Sequence, residues 1–251
     1  MADPLLAVQG LRKSFGSLVV SDGISLEFAC GELHALIGPN GAGKTTLIHQ
    51  LSGLMPSDAG RIVFDGEDVT RLDMASRARR GLVRSFQITS VLPAFSALEN
   101  VALAAQAQAG SSFRFLVPAA AEEALNATAL AALGRVGLER RAQVRAGSLS
   151  HGEKRLLEVA IALAAGPKLL LLDEPLAGLG QDESEASIRL LAELKRELTI
   201  VLVEHDMDAV FALADRVSVL VYGRVIATGS PAAIRADAAV RAAYLGEEEP
   251  A

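Results

Sequence analysis

The segment GPNGAGKTT, Gly38–Thr46, constrains this chain more than any other stretch. It follows the apolar run Leu33–Ile37 and matches the spacing G-x-x-x-x-G-K-[ST], in which a strand passes through a glycine-rich loop into a helix. Gly38, Gly41 and Gly43 free the backbone to curl, so that successive N–H groups point at one place, toward which the following helix also turns its positive end. Such a nest takes phosphate oxygens. In that setting Lys44 reaches the β- and γ-phosphates of a nucleotide and Thr45 offers a hydroxyl to magnesium, while Pro39, Asn40, Ala42 and Thr46 complete the loop.

The rest of the chain supplies the partners that a phosphate loop needs. Leu5 to Gln9, Val19 to Phe28 and Arg61 to Phe64 read as short strands punctuated by Gly10, Gly16, Gly31 and Gly60. Ser96 with Glu99 forms a capping box opening a helix to about Gln108, and a second helix is expected over Ala119 to Leu133 after a loop marked by Gly110, Ser111, Ser112 and Pro118. From Ser150 a helix places Leu156, Val159, Ala160, Leu163 and Ala164 on one face and ends at Gly166 and Pro167. Strands Lys168 to Leu172, Thr199 to Val203 and Val217 to Tyr222 follow, with a helix from about Asp182 to Glu197 after the first of them, so the strands should run parallel. A single helix is expected over Pro231 to Leu245, with Glu247, Glu248 and Glu249 fraying beyond it.

Parallel-sheet proteins place ligands at the C-terminal edge of their strands. There the run Lys168 to Leu172 delivers Asp173 and Glu174, the first suited to hold magnesium through water and the second to act as general base on an attacking water. Thr199 to Val203 ends in Glu204, His205 and Asp206, so His205 should emerge beside Glu174, where it would bond the γ-phosphate and keep the water in line.

Composition removes several other classes. A net charge of −6 argues against coating nucleic-acid phosphates. The cluster Arg71, Arg77, Arg79, Arg80 and Arg84 reads as a solvated helix face. No run approaches the roughly 20 apolar residues of a membrane span, and Asp3 and Pro4 stand where a secretory signal would place basic residues, so export is not expected. Cys30 is the only cysteine, which suits a reducing cytoplasm and predicts a buried apolar thiol.

Leu149 to Glu153 reads LSHGE, and with it the chain resembles the ABC ATPases, whose signature is usually written LSGGQ. His151 and Glu153 depart from that form. The same Ser150 and Glu153 make a capping box for the helix that follows, and a helix N-terminus with Ser150 and Gly152 exposed is suited to grip a γ-phosphate held by another subunit. Gln87 in RSFQ is similar to the glutamine that senses magnesium and the attacking water in that family, and Phe15 in KSFG to the aromatic that stacks on adenine. Leu176 to Gly180 is similar to the D-loop, with Gly180 where many members carry aspartate.

The resemblance covers nearly the whole chain. It implies an α/β P-loop NTPase core with a mostly parallel sheet and an N-terminal antiparallel β subdomain over residues 1–86 and 166–251, and an inserted α-helical signature subdomain over 87–165. It further implies a catalytic set of Lys44, Gln87, Glu174 and His205, magnesium held by Thr45, Gln87 and Asp173, and ATP bound by Phe15 and Gly38–Thr46 of one subunit with Ser150, His151, Gly152 and Glu153 of another. RSFQ and the tail GSPAAIRADAAVRAAYLG look similar to ATPases of branched-chain amino acid importers. The implied partners are membrane permease subunits docking near Gln87 and the stretch Ser96 to Leu133, a second ATPase, identical or paralogous, and indirectly a solute-binding protein, with the chain on the inner face of the cell membrane. The rivals are an ABC ATPase of DNA repair or translation, which would need a coiled-coil insert, a zinc module or tandem cassettes, and a nucleotide-binding scaffold without turnover, against which Lys44, Asp173, Glu174 and His205 argue.

Overall fold

The computed structural model of the chain describes residues 3–85, 91–109 and 123–245. In chain order these form β1 (Leu6–Phe15), β2 (Leu18–Phe28), β3 (Leu33–Ile37), α1 (Lys44–Ser52), β4 (Ala59–Phe64), β5 (Glu67–Asp68), α2 (Met74–Arg79) and β6 (Leu82–Arg84). There follow α3 (Ala97–Ala109), α4 (Glu123–Arg135), α5 (His151–Ala164), β7 (Leu169–Asp173), α6 (Gln181–Leu194), β8 (Thr199–Val203), α7 (Met207–Leu213), β9 (Arg216–Val221), β10 (Arg224–Gly229), α8 (Pro231–Ala236) and α9 (Ala238–Val240).

Two sheets result. An antiparallel one runs β2-β1-β4-β5, and a six-stranded one runs β10-β9-β3-β8-β7-β6, parallel throughout except for the β9–β10 hairpin. Every residue of β3, β7 and β8 is buried, as a parallel sheet covered on both faces requires. Alternate residues serve different cores: Leu169, Leu171 and Val201 pack with Phe28, Phe64 and Leu51 between the sheets, whereas Leu170, Leu172 and Ile200 pack with Leu133, Leu157 and Leu163 of the helices on the other side. Both expected capping boxes form. Ser96 and Glu99 exchange bonds of 3.1 and 2.7 Å at the start of α3, and Ser150 and Glu153 exchange bonds of 3.1 and 2.8 Å at the start of α5.

Several expectations need correction. β1 does not stop at Gln9; Gly10, at φ 59°, carries the strand through a register shift between Val8 and Leu11 and on to Phe15. The short β6 and the edge strand β10 were not anticipated. The arginine cluster is not one solvated face. Arg79 and Arg80 are exposed, but Arg77 is buried and donates to the carbonyls of Gln50, Leu51, Thr70 and Leu72, so that its charge caps the C-terminal end of α1. Cys30 is exposed, in the turn between β2 and β3. The tail is not one helix: Asp237 turns extended and its carboxylate accepts from the N–H groups of Ala239 and Val240, ending α8 and capping α9. Of the helix expected from Ala119, residues 119–122 lie outside the described residues, as does the loop from Gly110 to Pro118; the described part, α4, extends to Arg135.

One buried charge leaves a measurable trace. Glu158, on the packed face of α5, is 4% exposed and faces Arg155 at 3.7 Å, and burial pushes its carboxyl up to about 7. Because the folded chain holds this proton more tightly than the unfolded one, stability falls as pH rises from the ordinary carboxyl range through 7. The loss across that window is about 3 kcal/mol. Glu158→Gln should flatten this slope. Urea unfolding of both proteins at pH 5 and pH 8 checks it, and equal slopes would show that the carboxyl stays ionised.

Candidate functional site

The loop after β3 is shaped by two close approaches. At Gly38, φ 155°, a Cβ would overlap the Leu220 carbonyl of β9; at Gly43, φ 102°, a Cβ would lie 2.5 Å from the Val20 carbonyl of β2. Gly41, φ 78°, has open space around it. The curl is closed by the Ala42 N–H on the Pro39 carbonyl at 3.1 Å, and the Gly223 N–H holds the Ala42 carbonyl at 3.0 Å. Lys44 is buried at the start of α1, where its Nζ donates to the carbonyls of Gly38 at 2.6 Å and Pro39 at 3.1 Å. Burial holds this ammonium below the usual lysine range, against the pull of Glu174 and Asp173. Thr45 stands exposed at the same helix end.

An open cleft of about 790 Å³ lies over this loop, lined by Gly38, Pro39, Asn40, Gly41 and Ala42 together with Glu174 and His205, and walled by Tyr222 and Ala242. The parallel sheet accounts for the meeting. β7 and β8 run side by side in register, Asp173 opposite Val203, so the residues just beyond them emerge at one edge. Glu174 sits at φ 51°, a sparsely populated backbone for a non-glycine residue, and its N–H is held on the Val203 carbonyl at 2.8 Å.

Asp173 does not share that cleft. It is buried, its Oδ2 receives Arg84 Nη2 at 3.1 Å, and its Oδ1 has no hydrogen-bond partner. Burial pushes its carboxyl above the usual range and Arg84 opposes that shift. Among the described residues no group of three or more His, Cys, Asp or Glu is placed to hold a metal. One orphaned carboxylate oxygen and one threonine hydroxyl instead suit a hard cation that keeps several waters and takes its other ligands from phosphates.

Sequence reasoning missed two supports of this edge, Arg84 and Glu204. Glu204 is buried, accepting from the N–H groups of Leu176 at 2.8 Å and His205 at 3.1 Å, so one carboxylate joins the end of β8 to the turn after Glu174. An acidic residue closing an apolar strand beside a histidine was the available signal. His205 itself is exposed, its ring 3.8 Å from that carboxylate.

The signature segment lies apart from the cleft residues. Ser150 and His151 are exposed, but Gly152 is buried against the Glu183 carboxylate of α6, which corrects the expectation of an exposed glycine. Glu183 also caps α6 through the Gly180 N–H at 3.3 Å. Glu153 is held by Arg141 at 2.8 Å. Phe15, half exposed at the β1–β2 turn, has Lys13 Nζ 5.7 Å from its ring and does not line the cleft. Gln87 lies outside the described residues.

The chain matches the family model described as ABC transporter over residues 21–177, and the model described as branched-chain amino acid ATP-binding cassette transporter over residues 224–250. It is 37% identical to the high-affinity branched-chain amino acid transport ATP-binding protein BraF of Pseudomonas aeruginosa, across 98% of this chain and 100% of that one. Its fold is similar to the crystal structure of an ATP-binding cassette of an ABC transporter in its ADP conformation, with a TM-score of 0.86, 30% identity, and coverage of 98% and 100%. A dimeric ATP-binding cassette in a post-hydrolysis state, bound to ADP and Pi, matches with a TM-score of 0.77, 25% identity, and coverage of 90% and 98%.

The two glycine positions of the loop should respond differently to a methyl group. Gly41→Ala costs only the positive φ, about 1–2 kcal/mol, whereas Gly43→Ala costs more, because the Val20 carbonyl belongs to a strand backbone and has nowhere to retreat. Urea unfolding of the two variants measures the difference; equal losses would remove the approach to β2 as a constraint.

Proposed function

Since the chain belongs to the ABC transporter family of ATP-binding proteins, we propose that it is the ATP-hydrolysing subunit of an importer for branched-chain or related amino acids. The observation that carries hydrolysis is the cleft in which the phosphate loop, Glu174 and His205 share one edge of the sheet. The substrate class rests on the match of residues 224–250 and on the printed function of the relative.

In this reading Lys44 exchanges its two neutral carbonyl acceptors for the β- and γ-phosphate oxygens, which as anions are the stronger partners. Thr45 and Asp173, with Gln87, would hold magnesium, which would supply positive charge against the negative charge that develops on phosphoryl transfer. Glu174 takes the proton of the attacking water, and His205 keeps that water in line. The backbone N–H groups of the loop, fixed before the reaction, stabilise the leaving phosphate.

The segment Ser150–Glu153 lies away from the cleft of its own chain, so a second ATPase subunit, identical or paralogous, supplies the residues that close over the γ-phosphate. The dimeric arrangement of the similar cassette supports that reading. Residues 87–165 then form the signature subdomain inserted between the core segments 1–86 and 166–251. Among the described residues no helix is long and apolar enough to cross a membrane. Attachment to the inner face of the cell membrane therefore comes through permease subunits, with a solute-binding protein delivering the cargo.

Lys44→Ala should abolish tight ATP binding, and persistence of wild-type affinity in an equilibrium titration would remove the phosphate reading. Glu174→Gln should keep ATP bound while phosphate release falls about 10²- to 10⁴-fold, and undiminished release would displace Glu174 as the base. Phe15→Ala should weaken nucleotide binding by about 1–3 kcal/mol if the ring stacks on adenine. For the transport reading, the chain co-purified with its permeases should drive ATP-dependent uptake of leucine into vesicles, and uptake indifferent to leucine would move the substrate elsewhere.

A further inference from the structure

Arg84 is the last residue of β6 and is paired with Leu171 of β7. The next residue, Ser85, donates its N–H to the Leu171 carbonyl at 3.0 Å, so the strand end is fixed beside the residues leading into Asp173. The ion pair there is 3.1 Å long, with side chains 7% and 4% exposed. Only one guanidinium N–H is used on the carboxylate: Arg84 Nε and Asp173 Oδ1 are both buried without a hydrogen-bond partner.

Stability alone does not account for this arrangement. A buried ion pair seldom repays its desolvation, and apolar residues of similar volume often serve as well or better. The geometry is instead that of a clamp. One carboxylate oxygen is anchored to a neighbouring strand, which fixes the rotation of the group, and the other oxygen is left with its acceptor capacity unspent. Beyond Arg84, His49 and Lys44 also pull on Asp173, but Lys44 spends its ammonium on the carbonyls of Gly38 and Pro39, and among the described residues Arg84 alone forms an ion pair with that carboxylate. Arg84 also stands three residues before Gln87 in the chain.

We propose that Arg84 is a positioning residue, which by holding Oδ2 of Asp173 aims Oδ1 at the divalent cation that accompanies the nucleotide. The proposal rests on the nucleotide reading above. It makes Arg84 distinct from a rival cation, whose removal would strengthen metal binding, and from a mere packing residue, whose loss would weaken everything alike.

Mn²⁺ binding in the presence of a non-hydrolysable ATP analogue, followed by electron paramagnetic resonance, separates these cases. Arg84→Gln and Arg84→Met should weaken Mn²⁺ binding about 10- to 100-fold, the usual cost of losing a group that orients a metal ligand. Affinity for the analogue in the presence of a chelator should stay at the wild-type value. Arg84→Lys, which keeps the charge and can make the single bond observed, should recover most of the loss. Should Arg84→Met fail to fold in a thermal melt, the Gln and Lys variants carry the same comparison. Wild-type or tighter Mn²⁺ binding by Arg84→Gln, or an equal loss of metal-free nucleotide binding, would overturn the proposal. If the wild-type chain ignored the analogue altogether, the nucleotide reading itself would fall, and the proposal with it; wild-type binding with an unmoved Arg84→Gln sinks the proposal alone.

Discussion

The structure depends on the absence of a side chain at two points of one loop. Gly38 lies against a carbonyl of β9 and Gly43 against a carbonyl of β2, and these strands belong to different sheets. The loop is therefore the joint between the parallel and antiparallel layers as well as a nest of N–H groups. The Gly223 N–H on the Ala42 carbonyl and the Asp22 N–H on the Gly223 carbonyl complete the joint by tying the loop, the β9–β10 turn and β2 into one chain of backbone bonds. A loop built this way is held by backbone bonds before anything binds, and a fixed array of dipoles costs no reorganisation when charge develops near it.

The same economy operates along the edge of the sheet. β7 and β8 end level with each other, and each hands over from an apolar run to a carboxylate: Asp173 held by Arg84, Glu204 held by two backbone N–H groups. Burial raises both carboxyls, and in each case the partner that holds the carboxylate opposes that shift. Of these carboxylates and the neighbouring Glu174, Glu174 is the one that lines the open cleft, and its positive φ is the backbone cost of turning it there.

How much of this was legible follows from the range of each interaction. The apolar runs of β3, β7 and β8, the loop spacing and the two capping boxes are local, and all were readable residue by residue. Arg77 and Arg84 were misread because composition assigns arginine to solvent. What buries Arg77 is a set of four carbonyls from Gln50, Leu51, Thr70 and Leu72, and what buries Arg84 is an aspartate far along the chain. The exposure of Cys30 and the break at Asp237 are turn geometry, which composition does not weigh. β6, only three residues long, gave no periodicity to detect, since it owes its existence to β7 beside it.

The departures in the signature segment have a physical reading of the same kind. Position 151 is exposed, with its histidine ring beside Gly178, whose open side leaves room for it, so a side chain replaces hydrogen there without collision. Position 152 is tighter, because a Cβ would enter the carboxylate of Glu183, which would have to swing aside and loosen the cap that it places on the Gly180 N–H. The turn after Glu174, the start of α6 and the start of α5 are thus mutually braced. LSHGE keeps the glycine that packs closely against Glu183 and changes the one beside open space, so the variation falls where the fold absorbs it with least adjustment.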